Sequence, residues 1–298
     1  MSSIRKRLER RLGSWALRRA QAWLLRKRPE DAERTGAFLG RLMYRVARTR
    51  RRRCLSNLEL AMPELSAPER LAVGRRVFEH YGIVAADFLT GARRTPEEFD
   101  ASMEVEGVEH LEEGLAAGRG VLIVTGHFGN WERIAVWLST HGYPLSVVAR
   151  DTGDPGLDGL VKSLRGGPGT RVIARGDAAR PILERLRKNE LIGILPDQNA
   201  QEIFVPFFGK PAGTVLGPGV IAERTGCAVV PTWCARTGPG RYRMFFEPPL
   251  LPEPGCQQRG EGMTRAINAA LERVIRRYPD QWLWFHDRWR SARRQGLL

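Results

Sequence analysis

Residues 121–134 read VLIVTGHFGNWERI. The run opens on four apolar residues, 121–124, the pattern of a strand covered on both faces of a sheet. Gly126 permits a sharp exit, Asn130 is placed to cap a helix, and residues 131–134 begin a helical pattern. A strand leading through a glycine turn into a helix is the repeating unit of parallel α/β sheets. His127 then falls at the carboxyl end of a strand, where open α/β sheets place their ligands.

The same texture extends in both directions. MEVEG, GVLIVTG, LSVVAR, TRVIA, LIGILP, AVVPTWCA and YRMFFEP read as strands. Helical patterns lie between them near 129–141, 156–165, 178–188 and 216–225, and again at 261–278. The expected fold class is therefore α/β, a mostly parallel sheet flanked by helices. Upstream the reading is helical: 3–28, then 31–92 with a break at AMPELSAPER, where Ser66 caps and Pro68 opens the next helix. This divides the chain into a helical region, 1–100, and an α/β body, 101–298.

Charge follows the same division. The 298 residues carry a net charge of +15; residues 1–60 hold 18 Lys and Arg against 5 Asp and Glu, leaving 30 against 28 in the remainder. A basic front of this kind suits an anionic membrane surface, an acidic protein or nucleic acid. In 3–28, Ile4, Leu8, Leu12, Trp15, Ala22 and Leu25 recur at helical spacing with arginines between them. That pattern fits an interfacial amphipathic helix, and it equally fits a helix packed on its own body. Arginines interrupt every apolar stretch near the start, so neither a secretory signal nor a spanning helix is expected. The four cysteines, 54, 227, 234 and 256, form no C-x-x-C pair, which argues for reduced thiols and against a zinc site.

His127 and Glu132 are five residues apart, a spacing that on one continuous helix points them ~140° apart. They can meet only if His127 lies in the turn before the helix, which the glycines at 126 and 129 allow. A carboxylate on one imidazole nitrogen would leave the other free to take a proton, making the pair an oriented general base. The pair also fits a histidine ending a strand and a glutamate steadying a helix N-terminus. ILPDQN repeats the pattern of a buried strand ending in polar groups and carries Asp197, Gln198 and Asn199 to the same edge of the sheet.

The longer motif GHFGNWE resembles the lipid A biosynthesis acyltransferases, within the wider His-x4-Asp/Glu glycerolipid acyltransferases. The resemblance continues in family order through RCLSNLELAMPELS, LRGGPGTRVI, LIGILPDQNA, IFVPFFGKPAGT, ERTGCAVVP and QWLWFHDRWR, covering about residues 50–290. It implies transfer of an acyl chain from acyl carrier protein to a hydroxyl of a phosphorylated lipid, with a glycerolipid-acyltransferase-like sheet and no cofactor or metal. His127 is then the base and Glu132 the residue that orients it. Arg165, with Arg150 beside it in interest, is expected to bind acceptor phosphates. Asp197, Gln198 and Asn199 are expected at the active site, and Phe207 and Phe208 along the acyl channel. No serine or cysteine nucleophile accompanies His127, and Thr125 reads as part of the strand. Backbone amides or an arginine would stabilise the oxyanion; the sequence leaves that choice open.

The resemblance also gives the basic front two acidic partners, acyl carrier protein and the membrane that holds the lipid acceptor. Family members commonly carry an N-terminal spanning segment, which this sequence departs from, so the expectation is peripheral, salt-sensitive attachment at the cytoplasmic face of the inner membrane. Two rival readings remain: an acyltransferase acting on another glycolipid or an aminolipid, and a non-enzymatic binder of membrane or nucleic acid built on the arginines. No zinc-finger, ribonucleoprotein or helix-turn-helix signature supports a nucleic-acid partner.

Overall fold

The computed structural model describes residues 15, 17–149, 170–174, 176 and 178–298. After a helical stretch over 17–24 come three long helices: α1 (Pro29–Val46), α2 (Arg48–Ala61) and α3 (Ala67–Thr90). Ser66 starts α3 with a reciprocal capping box, its side chain accepting from the Glu69 amide while Glu69 accepts from the Ser66 N–H at 2.7 Å. The α/β body comes next as α4 (Pro96–Ala101), β1 (Met103–Glu106), α5 (Val108–Ala116), β2 (Val121–Val124), α6 (Trp131–Thr140), β3 (Leu145–Ala149) and β4 (Arg171–Ala174). It continues through α7 (Ala179–Leu186), β5 (Leu191–Ile194), β6 (Ile203–Phe207), β7 (Lys210–Thr214) and α8 (Gly217–Thr225). The last elements are β8 (Ala228–Gly238), β9 (Arg241–Phe246), α9 (Glu261–Arg277) and α10 (Arg290–Arg294).

Seven strands form one sheet in the order β1-β9-β8-β2-β5-β3-β4. Every neighbouring pair is parallel except β8 and β9. The seven strands read from the sequence are these seven. The expected helix over 156–165 lies outside the described residues.

The sheet is buried on both faces. Helices α5 and α6 cover one through Leu111, Ile134, Trp137 and Leu138 against Val121, Ile123, Leu191 and Val230. Helices α7, α8 and α9 cover the other through Ile182, Leu186, Ala222 and Ile267 against Leu122, Val124, Ile192 and Val229. The chain therefore leaves β2 toward α6 on one face, while its neighbour β5 leads on to elements that return across the other. Adjacent strands whose connections depart to opposite faces leave a crevice at their carboxyl ends. The crevice here lies between β2 and β5.

A third cluster joins the helical front to this edge of the body. Tyr44, Leu58, Val77 and Phe78 pack in it with Phe128, Phe207, Phe208, Trp233, Trp282, Trp284 and Trp289. The antiparallel hairpin β6–β7 belongs to it and was not legible as strands. It turns at Phe208 and Gly209, both at positive φ (53° and 67°), as a two-residue hairpin turn requires. Phe207 and Phe208 are thus buried core residues, at 0% and 5% exposure, and do not line the acyl channel expected of them. Their rings sit against Trp282, Trp284 and Trp289.

Candidate active site

His127 occupies the turn after β2, and Asp197 the turn after β5, the strand paired directly beside it. Their sequence separation of 70 collapses to contact. The Asp197 carboxylate accepts from the His127 backbone N–H (2.7 Å, Oδ2) and meets its ring at Nδ1 (2.8 Å, Oδ1). Trp282 donates its indole N–H to the same carboxylate at 3.0 Å. Asp197 is 2% exposed. Burial pushes its carboxyl up, but the charge and hydrogen bonds of His127, with the Trp282 bond, outweigh that and hold it at about 2. An ionised carboxylate only accepts, so Nδ1 carries the proton and Nε2 is the nitrogen turned away from Asp197, where the ring takes a second proton when it becomes imidazolium. Gln198 Nε2 lies 3.4 Å from that nitrogen as its donor.

The sequence reading gave this orienting position to Glu132, and the structure gives the Nδ1 contact to Asp197. Glu132 enters the first turn of α6 and accepts from the Trp131 indole N–H at 2.9 Å, its side chain lining the same cavity as His127. Asn130 does not cap α6 with its side chain. Its amide donates instead to Asp87 at 2.7 Å. Asp87 also takes a two-pronged pair from the buried Arg133 at 3.0 Å, tying the start of α6 to α3.

Two glycines make the turn possible. A Cβ on Gly126 would meet the Asp197 carboxylate at 3.2 Å and Leu271 at 2.9 Å, so the carboxylate reaches the 127 amide only past a bare backbone. Gly129 has φ +54° and lies on the Cys234 carbonyl, where a Cβ would approach to 2.0 Å. Its N–H donates to the Gln281 carbonyl (2.7 Å), and its own carbonyl accepts from His80 Nε2 (3.1 Å). Burial pushes the His80 imidazole down to about 4, so it serves as a neutral donor. Tyr81 adds a hydrogen bond to the His127 carbonyl.

The C-terminal segment QWLWFHDRWR clamps both turns, through Gln281 on one and Trp282 and His286 on the other. His286 Nε2 accepts from the Asn199 backbone N–H at 3.0 Å, and the Asn199 side chain accepts from Ser291 Oγ at 2.6 Å. Asn199 therefore borders the cavity with its carbonyl oxygen committed to holding the Asp197 turn. Sequence reasoning missed Tyr81 and Trp282 and gave His286 a structural role only. The polar-aromatic density of the terminal motif was the signal for Trp282 and His286; Tyr81, within α3, had none. Arg150 and Arg165 lie outside the described residues.

A cavity of about 590 Å³ opens at this edge. His127, Glu132 and Gln198 border it on one side; Ile123, Ile134, Leu138, Leu145, Val147 and Gly193 give it an apolar wall against α6. Among the described residues no group of three His, Cys, Asp or Glu side chains is placed to hold a metal ion. An oriented imidazole facing a largely apolar cavity can take a proton from a hydroxyl beside a lipid chain. Among the described residues, too, no helix is long and apolar enough to cross a membrane.

Comparison with known proteins agrees with this geometry. The profile of the family described as bacterial lipid A biosynthesis acyltransferase matches residues 3–291. The lipid A biosynthesis lauroyltransferase of Escherichia coli is 29% identical over 277 residues, 90% of this chain and 89% of its own. The myristoyltransferase of the same organism is 26% identical over 276 residues, 91% of this chain and 85% of its own. A phosphatidylinositol mannoside acyltransferase of Mycobacterium tuberculosis is 28% identical over 193 residues, 62% of this chain and 59% of its own. The chain is an acyltransferase and belongs to the bacterial lipid A biosynthesis acyltransferase family.

Proposed function

We propose that this acyltransferase moves a fatty acyl chain from acyl carrier protein to a hydroxyl of a lipid A precursor, with His127 as general base and Asp197 as the carboxylate that orients it. The observation that carries the reading is the buried Asp197 on His127 Nδ1 at 2.8 Å, with the ring bordering an apolar cavity. Nε2 takes the proton of the acceptor hydroxyl as its oxygen attacks the thioester carbonyl, and the imidazolium formed is stabilised by Asp197. Collapse of the tetrahedral intermediate expels the thiolate of the carrier, which takes the proton from Nε2. The thioester is already activated, so no acyl-enzyme is required. Glu132, on the same cavity, and Gln198, beside Nε2, are assigned to holding the acceptor. Arg150 and Arg165 keep their role as phosphate ligands on the resemblance alone.

The acceptor is named from the relatives that match nearly the whole chain. The match to the mannoside acyltransferase makes phosphatidylinositol mannoside the competitor. Incubating the enzyme with labelled acyl carrier protein and both lipids in mixed micelles tests the choice: label is expected on the lipid A precursor. Label on the mannoside alone would reassign the acceptor.

The same reading takes the protein to a membrane surface at the cytoplasmic side. Helix α1 buries Ala32, Gly36, Ala37, Gly40 and Tyr44, yet its other side exposes Phe38, Leu39, Leu42, Met43 and Val46. Trp15 and Trp23 are also exposed, and Arg34, Arg41 and Arg45 lie beside the stripe on α1. An apolar stripe edged by arginines supports peripheral docking on anionic lipid. Attraction between the basic front and acyl carrier protein is proposed on charge alone.

A further inference from the structure

Thr125 stands between β2 and the Gly126 turn. Its backbone is fixed in the sheet, the N–H donating to the Ile194 carbonyl at 3.1 Å. The residue is 5% exposed and lines the cavity, but its hydroxyl oxygen is buried without a hydrogen-bond partner. An unpaired buried hydroxyl costs roughly 1–3 kcal/mol, enough that its retention at a cavity wall points to a partner that arrives with a ligand.

Side chains alternate along a strand, so Thr125 continues from Ile123 onto the face covered by α6. That face holds the apolar wall. Ile123, Thr125 and His127 thus succeed one another along one side of the cavity, from apolar interior to base. With an acyl chain along this apolar side and the acceptor oxygen at His127, the thioester carbonyl would fall between wall and base, where Thr125 stands.

We propose that the Thr125 hydroxyl donates a hydrogen bond to the carbonyl oxygen of the acyl thioester and to the oxyanion that this oxygen becomes. The inference rests on the acyl-transfer reading given above and supplies the donor that the sequence left open. As the acceptor oxygen bonds to the carbonyl carbon, the π pair moves onto the carbonyl oxygen and is met by Thr125 Oγ–H. When the intermediate collapses, C=O re-forms, the C–S bond breaks and the thiolate takes the proton held at Nε2. Thr125 keeps its own proton throughout. It is not a nucleophile, because no hydrogen bond joins its hydroxyl to His127 or to any other base.

Thr125→Val keeps the shape and deletes the donor; Thr125→Ser keeps the donor. Single-turnover transfer from acyl carrier protein is expected to fall about 10²–10³-fold in kcat for the valine variant, with KM within about threefold. The serine variant is expected to stay within about tenfold of wild type. The hydroxyl has no partner to lose in the free enzyme, so the valine variant should not melt lower. A second readout is the infrared stretch of a ¹³C-labelled thioester bound to His127→Ala, which holds the donor without turning it over. It should rise in frequency when Thr125→Val is added. A valine variant with wild-type kcat, a serine variant as slow as the valine, or an unmoved carbonyl band would each overturn the proposal while leaving acyl transfer standing. Absence of transfer by wild type would overturn the acyl-transfer reading, and the proposal with it.

Discussion

Asp197→Asn separates the account built on the structure from the one built on spacing. The carboxylate accepts three hydrogen bonds, from the His127 amide, the His127 ring and Trp282. Asparagine has one accepting oxygen and a donating NH₂, so at least one of these contacts turns donor-to-donor. Whichever face meets the ring, the charge that stabilises the imidazolium is gone. A hydrogen bond to a charged partner contributes about 1.5–3 kcal/mol, which at 1.36 kcal/mol per decade is roughly 10–150-fold in rate. If the NH₂ faces Nδ1, the ring also adopts the wrong tautomer, which raises the loss toward about 10⁴-fold. The expected fall in kcat is therefore about 10–10⁴-fold, with KM little changed, measured by labelled acyl transfer on protein whose melting is monitored in parallel. The acid limb of the pH–rate profile should move to lower pH, because the variant no longer favours the protonated ring. Turnover of Asp197→Asn within threefold of wild type, with an unmoved pH profile, would refute the reasoning.

Three further outcomes are expected. Asp197 sits at about 2 in the folded protein against an ordinary 3.8, so its stabilisation, roughly 2 kcal/mol, is complete above about pH 4 and lost as pH falls through 2. In urea titrations the gap between wild type and Asp197→Asn should close over that window, and a gap that widens on acidification would contradict it. Asp87→Ala strands the buried Arg133 and should cost about 3–5 kcal/mol in denaturant unfolding. Leu42→Glu with Val46→Glu replaces the α1 stripe where it is exposed, and should weaken sedimentation with anionic vesicles by at least about tenfold without lowering the melting temperature.

The sheet was legible because its strands are short apolar runs bounded by glycine and proline, and that pattern survives in a single sequence. The capping box at Ser66 was legible for a similar reason, since its partners are three residues apart. The β6–β7 hairpin escaped because two prolines, Pro206 and Pro211, interrupt its strands and its turn places a phenylalanine at positive φ. The His127–Asp197 contact escaped for a different reason. Spacing along the chain suggests local partners, and Glu132 is local, whereas Asp197 arrives through the pairing of β2 with β5. Phe207 and Phe208 were placed on an acyl channel through the resemblance, but an aromatic cluster reads alike whether it faces a cavity or three tryptophans. The apolar wall of the cavity instead comes from ordinary core residues of β2, β3, β5 and α6, which carry no distinguishing motif. The placing of GHFGNWE at a strand end, by contrast, was fixed by the turn glycines and held in the structure.

The most direct test of the central claim is single-turnover transfer of a labelled acyl chain from acyl carrier protein to a lipid A precursor by wild type and His127→Ala. The account predicts transfer by wild type and a loss of at least about 100-fold in the variant, with both proteins folded. Equal rates in the two would contradict it, leaving His127 as a residue that merely ends a strand.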